Sequence, residues 1–166
     1  MVTLPNGFPS DLLGAFKVLT ARPKLAVEDL KVLAMIEAAG EEFYLRIAKG
    51  VRDRDAKELL SQNGREERGH AHRLVKAIAA ESGETFVLPE SQENPFIASM
   101  PTEYPVTTEF LKTLESGEQD GDRQYQTWAD GASNPTVAKI LRQNGREESR
   151  HGERDAQAMR LIAAND

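Results

Sequence analysis

Two stretches of this chain, 81 positions apart, carry nearly the same string without a gap. Gln62-Asn63-Gly64-Arg65-Glu66-Glu67-Arg68-Gly69-His70 returns as Gln143-Asn144-Gly145-Arg146-Glu147-Glu148-Ser149-Arg150-His151. Each copy holds Glu-x-x-His, Glu67/His70 in one and Glu148/His151 in the other. The same offset pairs Glu37 with Glu118, Gly40 with Gly121, Tyr44 with Tyr125, Ala48 with Ala129 and Gly50 with Gly131. Four carboxylates and two imidazoles in two equivalent half-sites are the ligand set of a two-metal centre inside a four-helix bundle.

The helical phase of the surrounding residues decides whether these charges face inward. Leu33, Glu37, Gly40, Tyr44 and Ile47 step by four and three along a first long helix, read from Val27 to Ala48 with Gly50 ending it. A second, starting near Asp53 or at an Asp55-x-x-Glu58 capping box and running to about Ala80, aligns Leu60, Asn63, Glu67, His70, Leu74 and Ala77. A third, Thr108 to Ala129, aligns Leu114, Glu118, Gly121, Tyr125 and Trp128. A fourth begins at Asn134-Pro135, a cap residue with proline at the first helical position, and aligns Leu141, Asn144, Glu148, His151, Asp155 and Ala158. Each acidic residue lies mid-seam, with apolar residues at the seam ends.

The pattern predicts an all-α fold: a four-helix bundle of two antiparallel hairpins (27–166), preceded by an arm (1–26) with a short helix between Ser10 and Thr20. The connection from 82 to 106, with Pro89, Pro95, Pro101 and Pro105, is long for a compact domain and fits a crossover along the bundle. One long crossover between the second and third helices is the ferritin-like topology. It also gives reach for hairpins to be exchanged between two subunits, and a homodimer is the expected assembly.

Burying four carboxylates together costs several kcal/mol each unless something compensates. Two divalent cations balance four negative charges while the imidazoles stay neutral. Residues three apart on a helix aim at one ion, and carboxylate and imidazole donors without sulfur suit iron or manganese, with zinc possible. A lone Glu-x-x-His among 27 acidic residues is more often coincidence than a ligand pair. Two copies at one offset, each with a Glu 30 residues upstream on a core seam, reverse that balance. The metal ligands read from the sequence are therefore Glu37, Glu67, His70, Glu118, Glu148 and His151.

Other residues serve as controls or stay open. His72, Glu66 and Glu147 fall off the seam and read as solvated, the two Glu residues alternatively as partners of nearby Arg. Glu41 and Asp122 either orient the ligand His residues or simply flank the seam, and Glu115 reads as surface rather than a seventh ligand. Tyr44 and Tyr125 are core aromatics whose hydroxyls can reach a ligand carboxylate of the opposite hairpin. Gly40 and Gly121 point to space beside the metals.

With Glu37-Ala38-Ala39-Gly40-Glu41-Glu42-Phe43-Tyr44, Glu67-x-x-His70, Glu118 to Tyr125 and Glu148-x-x-His151 in place, the chain resembles the rubrerythrin branch of the ferritin-like superfamily over Val27 to Ile162. The resemblance implies a non-haem di-iron centre on the six residues above, with Glu67 and Glu118 as the carboxylates that bridge or switch. It implies an oxidoreductase acting on hydrogen peroxide or dioxygen. Rubrerythrins proper hold an electron-transfer iron on four cysteines of a rubredoxin domain, whereas this chain has none. Electrons are then expected from an external donor, a rubredoxin-like protein or a reductase. A ferroxidase acting on iron itself is the second reading. A helical assembly module with a structural metal or none is the third, disfavoured because assembly needs only the apolar seams.

Composition removes other classes. Without cysteine there are no disulfides, thiolate zinc sites, iron–sulfur clusters or Cys nucleophile. A net charge of −6 with no basic block argues against nucleic acid. No run approaches the roughly 18–20 apolar residues of a membrane span, and Met1 to Gly7 carries no signal pattern. Cytoplasmic residence is the expectation.

Overall fold

A computed structural model describes residues 2–165. Met1 and Asp166, the ends of the predicted arm and bundle, lie outside them. The helices are α1 (Leu12–Thr20), α2 (Val27–Gly50), α3 (Arg54–Ser82), α4 (Pro95–Ala98), α5 (Thr108–Gly131) and α6 (Pro135–Asn165). The long ones, α2, α3, α5 and α6, form the ferritin-like bundle. Short turns close the hairpins α2–α3 and α5–α6, and α3 packs on α6 to join them. Asn63 on α3 reaches the His151 carbonyl of α6 while Asn144 on α6 reaches that of His70, so these two helices run antiparallel about a pseudo-twofold axis. The sequence repeat is thus a spatial one.

Caps fix most ends. Asp53 accepts from the Ala56 N–H at 2.7 Å and starts α3, so the Asp55/Glu58 box is not used, and Glu58 pairs with Arg65 instead. Asn134 caps α6 through the Thr136 N–H at 2.9 Å, as its sequence predicts. The end of α3 is Gly83, whose φ of 74° suits the left-handed position that closes a helix. Gly50, in contrast, is still helical, and the extended Val51 ends α2.

The crossover follows α2 from beginning to end. Glu84 pairs with Lys31, Asn94 donates to the Met35 carbonyl, Arg46 donates to the carbonyls of Met100 and Pro101, and Val106 reaches Gly50. It also contains the short helix α4, which the proline-rich sequence concealed. Asn94 caps it and Phe96 sits fully buried in the core.

Two apolar clusters cap the bundle's polar middle. One gathers Leu33, Leu74, Ile78, Trp128 and Leu141 with Ala15 and Leu19 of α1; the other gathers Tyr44, Ile47, Leu60, Leu111 and Ala158. The arm therefore shares the bundle's core. Its exit is pinned where the Trp128 indole donates to the Arg22 carbonyl at 3.0 Å.

The repeat partners Gly50 and Gly131 face different neighbours. A Cβ on Gly131 would clash with the Pro23 carbonyl oxygen, whereas one on Gly50 would meet the Val106 methyl at 3.1 Å and backbone no nearer than the Tyr104 carbonyl oxygen at 4.0 Å. Gly131→Ala should thus cost about 1–3 kcal/mol through overpacking against backbone, a fall of roughly 2–12 °C in Tm. Gly50→Ala, helped by about 1 kcal/mol of helix propensity, should be close to neutral. Equal melting of the two variants in a thermal scan would refute this account of arm docking.

Candidate metal centre

The six residues read from the sequence meet between the two apolar clusters. All but Glu118 are buried to 6% exposure or less, although each carries charge or a ring nitrogen, and Glu118 is partly buried. Their donor atoms form two overlapping groups, each within 4.8 Å: Glu37, Glu67, His70 and Glu148, then Glu67, Glu118, Glu148 and His151. Glu67 and Glu148 belong to both. Of the pair implied to bridge or switch, Glu67 thus lies in both groups, whereas Glu118 belongs to one, as does its repeat partner Glu37. The pseudo-twofold axis requires this, because it exchanges Glu67 with Glu148 and Glu37 with Glu118.

Ring contacts show what such a cluster can hold. His70 Nδ1 lies 3.1 Å from Glu37, 3.1 Å from Glu148 and 3.5 Å from Glu67. His151 Nδ1 lies 3.2 Å from Glu67, 3.1 Å from Glu148 and 4.0 Å from Glu118. One ring nitrogen cannot bond three carboxylates at once. Glu148 Oε2 and His151 Nδ1, though fully buried, lack any hydrogen-bond partner. Buried donor atoms that converge without bonding one another fit a cation between them. Two divalent ions also match the four carboxylates in charge, so the residues present fit a binuclear metal centre.

The far ring nitrogens explain how the imidazoles are aimed. His70 Nε2 lies 3.1 Å from Glu147 and His151 Nε2 lies 3.2 Å from Glu66. Ionised carboxylates only accept, so each Nε2 carries a hydrogen, and in the neutral imidazole that a metal requires each Nδ1 would present its lone pair inward. Arg73 holds Glu147, and Arg154 holds Glu66 through two bonds of 3.0 and 2.8 Å. Glu66 and Glu147 are therefore partners of Arg, as one of the two readings had them, and also the acceptors behind the ligand rings. That second role went unread. Its signal lay in the repeat, which places an Arg three residues after each His and a second Glu before each ligand Glu.

Glu41 and Asp122 do not take that part. Glu41 accepts from Arg68 at 2.7 Å and Asp122 from Ser149 at 2.5 Å, so each clips its own hairpin. Glu115 joins neither cluster, and His72 is exposed. Tyr125 donates to Glu37 at 2.7 Å and Tyr44 to Glu118, each across to the opposite hairpin. Gly40 makes room for the Glu67 carboxylate, 3.1 Å from where its Cβ would stand; Gly121 leaves Glu148 an ordinary 3.6 Å contact.

Electrostatics register the crowding. Burial, then Glu148 and Glu37, push the Glu67 carboxyl well above its usual range, and burial with Glu148 and Glu67 does the same to Glu118. Burial also opposes the charge on Glu148, but His70 and His151 outweigh it and hold that carboxyl well down. The imidazoles respond reciprocally. Burial disfavours their cations, yet the surrounding carboxylates push His151 up to about 12 and His70 well above its ordinary value. Glu147 drops to about 2, burial being outweighed by His70 and Arg73.

A family model described as Rubrerythrin matches residues 30–154. The chain belongs to the rubrerythrin family. No curated protein and no solved structure matches it. The family assignment and the two Glu/His clusters together support the di-iron carboxylate centre typical of rubrerythrins. This member has no cysteine with which to hold a second, thiolate-bound iron. No described helix is long and apolar enough to cross a membrane.

Proposed function

We propose that this rubrerythrin-family protein is a di-iron oxidoreductase that reduces hydrogen peroxide with electrons from an external donor. The observation that carries the reading is the near-equivalence of the two clusters, each with its own imidazole and terminal carboxylate and both sharing Glu67 and Glu148. Glu37 and His70 would hold one ion, Glu118 and His151 the other, and Glu67 and Glu148 would span both. Iron is favoured over manganese or zinc because the family's chemistry is redox and the donor set mixes carboxylate with imidazole. Bound iron supplies electrons and Lewis acidity to an oxygen substrate. The chain's own residues do the rest. Tyr44 and Tyr125 hold the terminal carboxylates, Glu66 and Glu147 fix the imidazole tautomers, and the apolar clusters keep bulk water from the centre on two sides. Hydrogen peroxide, with two equivalent oxygens, fits a centre of two nearly equivalent halves, as dioxygen does, and it is the family assignment that favours peroxide.

Mixing the reduced protein with one equivalent of hydrogen peroxide, then of dioxygen, in a stopped-flow spectrometer tests the proposal. Oxidation should be faster with peroxide and should stop at the oxidised centre until a donor delivers two electrons. Faster reaction with dioxygen, with mineral growing on excess ferrous ion, would replace this reading with that of a ferroxidase.

A further inference from the structure

The two halves differ at one buried position. Asp155, fully buried on α6, stands where the first repeat has Leu74. Its Oδ2 lies 2.9 Å from the Tyr44 hydroxyl, which also bonds Glu118. A phenol has one hydrogen, and here it faces two carboxylate oxygens, so a further proton must sit on one of those carboxyls. The other Asp155 oxygen settles the orientation. Asn63 Oδ1 accepts from Arg154 at 2.9 Å, and its Nδ2 donates to the His151 carbonyl at 3.2 Å and to Asp155 Oδ1 at 2.9 Å. With that amide pinned at both ends, Asp155 Oδ1 accepts and Oδ2 is the oxygen left for Tyr44.

We propose that Asp155 is a positioning residue carried as the neutral acid, whose Oδ2–H donates to the Tyr44 oxygen and commits the Tyr44 hydrogen to Glu118. Glu118 is the wrong place for the extra proton, since a metal ligand must be ionised. Asp155 suits it: its hydrogen-bond partners, Tyr44 from α2 and Asn63 from α3, are neutral. The charged groups acting on it are Glu115 of α5 and, from its own helix, His151, while Glu118 of α5 stands one hydroxyl away. Burial pushes the Asp155 carboxyl up to about 7 even so. In the other half, Tyr125 donates to Glu37 and is approached only by the Asn144 amide at 3.5 Å, with no second acid. The peroxide reading, on which only this use rests, gives the stored proton a purpose. Reduction of peroxide to two waters (H2O2 + 2 H+ + 2 e− → 2 H2O) takes up two protons, and Asp155 holds one a single hydroxyl from Glu118.

Infrared difference spectra of the zinc-loaded full chain test it, because zinc is redox-inert and occupies the ligand carboxylates. At mildly acidic pH the wild type should show the C=O stretch of a protonated carboxyl that Asp155→Asn and Asp155→Leu both lack. Asp155→Asn should keep the wild-type zinc content and melting temperature, since its Nδ2 can take over the donation to Tyr44 while Oδ1 still accepts from Asn63. Absence of the band from wild type, or its persistence in both variants, would overturn the proposal. So would an Asp155→Asn protein that folds but melts lower than Asp155→Leu. In protein that takes up no zinc, Glu67 and Glu118 carry protons as well, so there the band of Asp155 is read as the difference between wild type and Asp155→Asn, and failure of the metal reading is a separate result.

Discussion

Glu67→Ala and Glu148→Ala should each strip both metal ions from the protein, whereas Glu37→Ala and Glu118→Ala should each weaken one. The difference follows from membership: Glu67 and Glu148 offer oxygens to both donor groups, and Glu37 and Glu118 to one apiece. Loss of a partner merely behind a ligand costs about 10–100-fold in metal affinity, so loss of a shared ligand should exceed about 100-fold for both ions. The variants should still fold. In the metal-free state Glu67 is a buried acid among other carboxylates, so its removal relieves repulsion, and metal-free Glu67→Ala should melt no lower than metal-free wild type. Metal analysis per chain after gel filtration is the measurement. Two tightly held ions in the Glu67→Ala/Glu148→Ala double variant would falsify the site.

The same symmetry explains which parts of the centre were legible in the sequence. The clustering of the six residues could be read because a repeat of Glu-x-x-His on a 3.6-residue seam aims both copies inward, and that of the tyrosines because they share that seam. The sharing of Glu148 went unread because the bridge-or-switch pair came from a resemblance, while the repeat itself pairs Glu67 with Glu148. Glu66 and Glu147 escaped because a residue beside a seam can turn either to water or across to the next helix. Helical phase alone does not separate the two; the arginines opposite do. Helix bodies followed from the apolar pattern, but α4 did not, since a single turn, with Pro95 and Phe96 buried side by side, has no periodicity to detect. Gly131 is the converse case. Its reason is the backbone of a distant segment, Pro23, and no local pattern encodes that contact.

Metal-free protein should melt higher at mildly acidic pH than at pH above neutral, and the metal-bound form should show the opposite trend. Glu67 and Glu118 have folded pKa values raised above the ordinary 4.5, burial being the leading cause, so their contribution is full below 4.5 and is lost as pH rises through the raised values. Asp155 acts likewise, its contribution being lost between 3.8 and about 7. His70 and His151, also raised, contribute fully below 6.5 and lose that contribution as pH climbs towards their folded values, about 12 for His151. Glu148, Glu66 and Glu147 have depressed values, so their contribution is present above 4.5 and disappears only as pH falls below it, towards about 2 for Glu147. Between mildly acidic and mildly alkaline pH every active contribution therefore has one sign, and the metal-free bundle weakens as pH rises. Bound cations take over the compensation of those carboxylates, and protons then compete with metal for the same donors, so the loaded protein weakens as pH falls. At a metal concentration about 1,000 times Kd, binding adds about 4 kcal/mol, or roughly 8–16 °C in Tm for a chain of this size. Thermal melts with and without chelator across that pH range measure the gap. If it fails to widen with pH, the carboxylates are not held against one another as the packing requires.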